Sequence, residues 1–82
     1  MNKQVSYGQL RRALLKLKFI ESDLKPRWKA YRHAGTDTLI LLAHRRPSQF
    51  AREQEISSVI RHVVEKGIAP EEELDRLLQA VA

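Results

Sequence analysis

At 82 residues, with 43% hydrophobic and 30% charged side chains, the chain has the size and composition of one domain at most, an ordinary small globular one in which disorder is not expected. It has no cysteine, so disulfides, thiolate metal sites and cysteine nucleophiles are out, and its start, MNKQVSYGQL, lacks the apolar core of a signal peptide. Net charge is +5, carried unevenly: residues 1–47 hold eleven Lys/Arg against three Asp/Glu, residues 48–82 four against seven.

The positive field therefore belongs to the N-terminal half, and points to a polyanion or an acidic protein face as partner. A solvated basic surface with no partner is the alternative. The longest aliphatic run, Leu39 to Ala43, is too short to span a bilayer, and the sequence reads as a cytoplasmic protein without membrane association.

The first element is a helix over about residues 7–18. Ser6 and Gln9 have capping-box spacing, Val5 and Leu10 have hydrophobic-staple spacing, and Leu10, Ala13, Leu14 and Leu17 form its apolar stripe. Arg11, Arg12, Lys16 and Lys18 lie on its other side. A short strand from Phe19-Ile20 to Leu24 follows, then a turn at Lys25-Pro26. The second strand lies within KPRWKAYRH, residues 25–33, and ends at Ala34-Gly35-Thr36-Asp37, where Gly35 is expected to supply the positive φ of the turn.

The third strand, Thr38 to Ala43, has four large aliphatic residues in succession, the pattern of a strand covered on both faces, and so is expected at the centre of the sheet. In a sheet of few antiparallel strands, that pattern implies cover on the side away from the helices, such as another chain. After His44-Arg45-Arg46-Pro47, residues Ile56, Val59, Ile60, Val63 and Val64 mark a helix over about 52–66, with Phe50 off its phase. Gly67 and Ile68 fit a Schellman cap, Ile68 packing on Val63. Pro70 opens a last helix as its first residue, Glu71, Glu72 and Glu73 match its dipole, and Leu74, Leu77, Leu78 and Val81 form its stripe. The expected fold is α+β, αβββα(α), a three-stranded antiparallel sheet with helices on one face, as one domain over residues 1–82.

In this order of elements the chain resembles the HicA-like, or YcfA-like, toxin family. The segments that carry the resemblance are Leu17-Lys18-Phe19, Pro26-Arg27-Trp28 before Tyr31-Arg32-His33, Ala43-His44-Arg45-Arg46-Pro47, and Lys66-Gly67-Ile68-Ala69 before the glutamates. The family pattern has a Leu-Gly-Phe-like corner at the first of these. The resemblance implies a fold like that of a double-stranded-RNA-binding domain, cleavage of mRNA as an mRNA interferase of toxin–antitoxin type, and neutralisation by an antitoxin. It places the family's catalytic histidine on Trp28. An indole has no basic nitrogen and cannot replace imidazole in proton transfer, so the expectation is an RNA-associated domain with a degenerate nuclease site.

Lys25, Arg27, Trp28, Lys29, Arg32, Arg45 and Arg46 are the candidate RNA-binding residues: cations for phosphates, and an indole for stacking on bases. The opposing reading is that the cations guard exposed strands and Trp28 fills a sheet face or a dimer contact. By strand alternation Trp28, Ala30 and Arg32 share one face and Lys29, Tyr31 and His33 the other. His33 and His44 are the candidates for a relocated acid–base group, against the reading that both are ordinary turn residues. His62 reads as a solvated side chain, and no cofactor or metal is implied. Candidate partners are RNA, an antitoxin-like or other acidic protein, and a second copy of the chain.

Overall fold

In a computed structural model of the chain, residues 4–24 and 27–79 are described. The order is α1 (Tyr7–Lys16), β1 (Ile20–Leu24), β2 (Trp28–His33), β3 (Thr38–Ala43), α2 (Glu53–Glu65) and α3 (Glu71–Gln79). The strands form one antiparallel sheet in the order β1-β2-β3, with the helices on one face. This is the expected α+β, αβββα layout with an added helix.

Local chemistry fixes both ends of α1. The Ser6 hydroxyl accepts from the Gln9 N–H at 3.1 Å, and the Gln9 side-chain oxygen accepts from the Ser6 N–H at 2.8 Å. The N–H groups of Tyr7 and Gly8 donate to the carbonyls of Gln49 and Pro47 at 2.9 and 3.0 Å. The segment from Pro47 to Ala51 is thus strapped across the start of α1 and satisfies donors that a helix otherwise leaves to water. A Cβ on Gly8 would sit 3.2 Å from both the Cβ and the carbonyl oxygen of Pro47, so glycine permits this approach. Phe50 lies in an isolated bridge with Ser6, which explains why it is off the phase of α2.

α1 ends two residues earlier than the apolar pattern predicts. Lys18 takes φ 75°, its N–H donates to Leu15 at 3.1 Å, and the Phe19 N–H reaches back to Leu14 at 3.0 Å. This is a Schellman cap with lysine in the position glycine favours. The same motif closes α2 as predicted: Gly67 has φ 69°, and Gly67 and Ile68 donate to Val64 and Val63 at 3.1 and 3.0 Å. At α3, Pro70 stands one place before the first helical residue, its carbonyl accepting from Glu73 and Leu74, both at 3.1 Å. The predicted Lys25-Pro26 turn and Val81 lie outside the described residues.

The core gathers Leu10 and Leu14 of α1, Ile40 of β3, Val59 and Val63 of α2 and Leu74 of α3, all fully buried. Tyr31 and Leu42 close it from the sheet side.

Two expectations are corrected. β3 is an edge strand and β2 is central; the aliphatic run marks a strand apolar on both sides, whatever its place in the sheet. The positive φ in the β2–β3 connection belongs to Asp37, at 53°, and not to Gly35. The connection has four residues, with the N–H groups of Thr36 and Asp37 donating to His33 and Ala34 at 3.3 Å. The left-handed position falls on its last residue, where aspartate is tolerated.

The two caps give opposite expectations for one backbone geometry. Gly67→Ala should lower stability by about 1 kcal/mol, and Lys18→Gly should raise it by about 0.5–1 kcal/mol. Urea unfolding of the two variants against wild type checks both signs.

Candidate binding site

The pleat divides the sheet as alternation requires. On the face away from the helices stand Ile20, Ser22 and Leu24 of β1, Trp28, Ala30 and Arg32 of β2, and Leu39, Leu41 and Ala43 of β3. Ile20 is 65% exposed, Leu39 54%, Trp28 and Leu41 49% each and Leu24 45%. Together they present on the order of 500 Å² of apolar surface, at the upper end of what an ordinary monomer leaves uncovered. Ala30 is buried among them, because it sits opposite Ser22 on one side and Leu41 on the other. Arg32 is the one charge on this face, 3.6 Å from Asp37. Both side chains are largely exposed, so the pair contributes little to stability.

The same alternation splits the predicted basic patch. Lys29 points to the helix side, where its ammonium lies 3.1 Å from Asp23 and 3.5 Å from Glu21. Arg27, Arg45 and Arg46 stay exposed at one end of the sheet, held near one another by the His44 N–H donating to the Arg27 carbonyl at 2.7 Å. Trp28, paired with Ala43, is on the outer face at this end. Arg32 is toward the opposite end of β2, and Lys25 lies outside the described residues. The structure therefore brings Arg27, Arg45 and Arg46 to the end of the sheet that carries Trp28, turns Lys29 to the helix side, where it lines a cleft with Arg45, and separates Arg32 from them.

Glu21 organises the helix side of β1. It accepts from the Arg11 guanidinium at 3.0 Å and from the Tyr31 hydroxyl at 2.8 Å. Burial works to raise its pKa, but the hydrogen bonds from Arg11 and Tyr31 and the charges of Arg11 and Lys29 overcome it and hold the carboxyl below its ordinary value. The hydrogen bond to Glu21 raises Arg11, and the hydrogen bond to Asp23 raises Lys29. Burial, with Glu21 beside it, pushes Tyr31 far up. These residues were missed as a group by sequence reading, although the alternation of Glu21 and Asp23 opposite Lys29 was its signal.

Beside this network an open cleft of about 300 Å³ lies between α1 and the end of the sheet, lined among others by Tyr7, Arg11, Lys29, Tyr31, His44 and Arg45. Tyr7 donates to Glu55 of α2. Burial and Glu55 raise its pKa, with Arg45 opposing. Both tyrosines are therefore neutral hydrogen-bond donors at physiological pH and not bases.

The two candidate histidines stand at opposite ends of the sheet. His33 has its Nδ1 3.0 Å from the Thr36 hydroxyl and its ring 5.1 Å from that of Phe19. His44 follows β3 at the far end, and makes no side-chain hydrogen bond among the described residues. The length of β2, about 17 Å at the usual rise, lies between them, so they cannot act on one phosphate together. His62 is tied to its own helix, with Nδ1 2.7 Å from the Ser58 carbonyl, rather than freely solvated. Among the described residues no three His, Cys, Asp or Glu side chains are grouped to hold a metal ion, and no helix is long and apolar enough to cross a membrane.

Together these features define a small α+β domain with an open apolar sheet face and a basic end. Compared with family models, with curated proteins and with solved structures, the chain has no match in any of the three.

The Glu21 network carries a pH signature. Because its folded pKa is depressed, the stabilisation is present above the ordinary carboxylate value of 4.5 and is lost as pH falls through the lower folded value. Glu21→Gln should thus cost about 1 kcal/mol at pH 7, with the gap to wild type closing in acid. Denaturant titrations from pH 7 to about 2.5 read it directly.

Proposed function

We propose that the domain is a binding module without an assembled nuclease site, and that it takes an acidic partner polypeptide on the outer face of its sheet. The observation that carries the reading is the set of five half-exposed apolar residues on that face, Ile20, Leu24, Trp28, Leu39 and Leu41, ending at Arg27, Arg45 and Arg46. An exposed contiguous apolar patch favours a protein partner, and the cations at its end favour acidic side chains there. An antitoxin-like partner, as the resemblance to HicA-like toxins implies, has this chemistry.

RNA is the second reading, favoured by Trp28 standing exposed beside the three arginines. The rest of the face argues against it. A nucleic-acid platform needs cations along the strand's path and aromatic rings for successive bases. Here one indole is surrounded by aliphatic side chains, and Lys29 is neutralised on the other side.

The test is capture of partners with tagged wild-type protein, followed by reconstitution from purified components. An acidic polypeptide should bind, and Trp28→Ala or Ile20→Asp should weaken it more than tenfold, the loss usual for a central interface residue. Arg61→Glu on α2 should leave it unchanged. A polypeptide that binds Trp28→Ala and Ile20→Asp as well as wild type would sink the reading. RNA retardation that falls steeply with salt and needs Trp28 would replace it with the second.

A further inference from the structure

The two edges of the sheet are built differently. β1 is guarded: two of its five residues are acidic, and both are engaged by Lys29, with Arg11 on Glu21 as well. β3 has no such guard. Its six residues, TLILLA, contain no charge and no proline, with Ile40 and Leu42 turned into the core and Leu39 and Leu41 half exposed outside. Proteins ordinarily protect an edge strand with charge, proline, a bulge or a covering segment, since its free N–H and C=O groups will pair with any strand that arrives. Among the described residues, no backbone hydrogen bond reaches β3 from the side opposite β2.

We propose that β3 pairs antiparallel with β3 of a second copy of the chain, joining two sheets into one of six strands across a two-fold axis at Leu41. Charge selects both the occupant and the direction. An axis normal to the sheet keeps all the helices on one side and requires facing residues to share a face. With Leu41 opposite Leu41 of the second copy, Leu39 faces Ala43, Ile40 faces Leu42, and Asp37 faces Arg45. Symmetry makes the Asp37–Arg45 contact twice. Asp37 is 89% exposed, its carboxylate paired among the described residues with Arg32 at 3.6 Å, a weak contact it can exchange. Arg45, although beside Tyr7 at the cleft, is exposed enough to reach it. A parallel arrangement would instead set Asp37 beside Asp37 and Arg45 beside Arg45. On the outer face, the antiparallel dimer also brings the Leu39 and Leu41 side chains of both copies into contact, covering surface that one copy leaves wet.

The contact belongs to the smallest class of specific interfaces, so the dimer is concentration-dependent. It shares Leu39, Leu41 and Arg45 with the partner surface above and leaves Ile20, Leu24 and Trp28 exposed, so the two are tested at different residues.

The absence of cysteine makes the test direct. Light scattering of wild type should show a mass rising from 9.5 kDa toward twice that value with concentration. Leu41→Cys should form a disulfide dimer on mild oxidation, since facing Cβ atoms across an antiparallel pair lie about 4.5–5.5 Å apart. Ile20→Cys should not, as the outer edges are then about 24 Å apart. Asp37→Lys or Arg45→Glu alone should weaken dimerisation several-fold, and the double variant should restore it. A mass fixed at 9.5 kDa up to about 0.5 mM, where weak contacts are still populated, would overturn the proposal. So would cross-linking through Ile20→Cys as fast as through Leu41→Cys. Partner capture is read through Trp28→Ala and Ile20→Asp and self-association through mass and cross-linking, so the failure of one is told from the failure of the other.

Discussion

Three helices can cover one face of a three-stranded sheet and no more, and that constraint governs the molecule. The helix side receives Tyr31, Ile40 and Leu42 and closes a core around Leu10, Leu14, Val59, Val63 and Leu74. No described element remains for the other side, yet the sequence has placed Ile20, Leu24, Trp28, Leu39 and Leu41 there. Folding alone does not account for five large apolar residues in water. Solvation of strands is normally left to threonine, lysine or glutamate, and this chain puts its acidic strand residues on the helix side instead.

That inversion is most evident at β1. Glu21 and Asp23 face inward beyond the edge of the helix layer, where they meet Lys29, Arg11 and the Tyr31 hydroxyl. The polar end of the inner face is thus internally satisfied, and no buried side-chain N or O among the described residues lacks a partner. The apolar outer face has no internal solution of this kind. The two surfaces differ accordingly: one is neutral and closed in charge, the other open and bordered at one end by the exposed Arg27, Arg45 and Arg46.

Where a feature depends on a few neighbouring residues, it was legible in the sequence. The Ser6–Gln9 capping box, the Gly67–Ile68 cap and the alternation along β2 are of this kind. What was not legible depends on chain segments distant in sequence. The aliphatic run of β3 reads as a central strand because burial on both sides usually means neighbours on both sides, and only strand order shows otherwise. The turn position is similar: Gly35 is the residue most able to adopt positive φ, but four-residue closure assigns it to Asp37. The basic residues were legible as a cluster in sequence, whereas their division by the pleat needed the cross-strand register that ties Lys29 to Asp23.

Lys18 shows that a backbone geometry can be held by a residue type that does not best suit it. It occupies the left-handed corner between α1 and β1, with the paired hydrogen bonds of a Schellman cap, a position that glycine suits best. The strain there is small beside what the corner achieves, since it turns the chain so that Phe19 enters the core while Ile20 begins the outer face. Trp28 is a different case. Its indole has no proton acceptor and offers a large apolar surface, half exposed on the outer face. The corner holds its geometry with an unsuited residue, and the sheet position stays exposed with an apolar one. At both positions the sheet and its open face stay in place, and Trp28 gives that face a surface suited to contact and not to proton transfer.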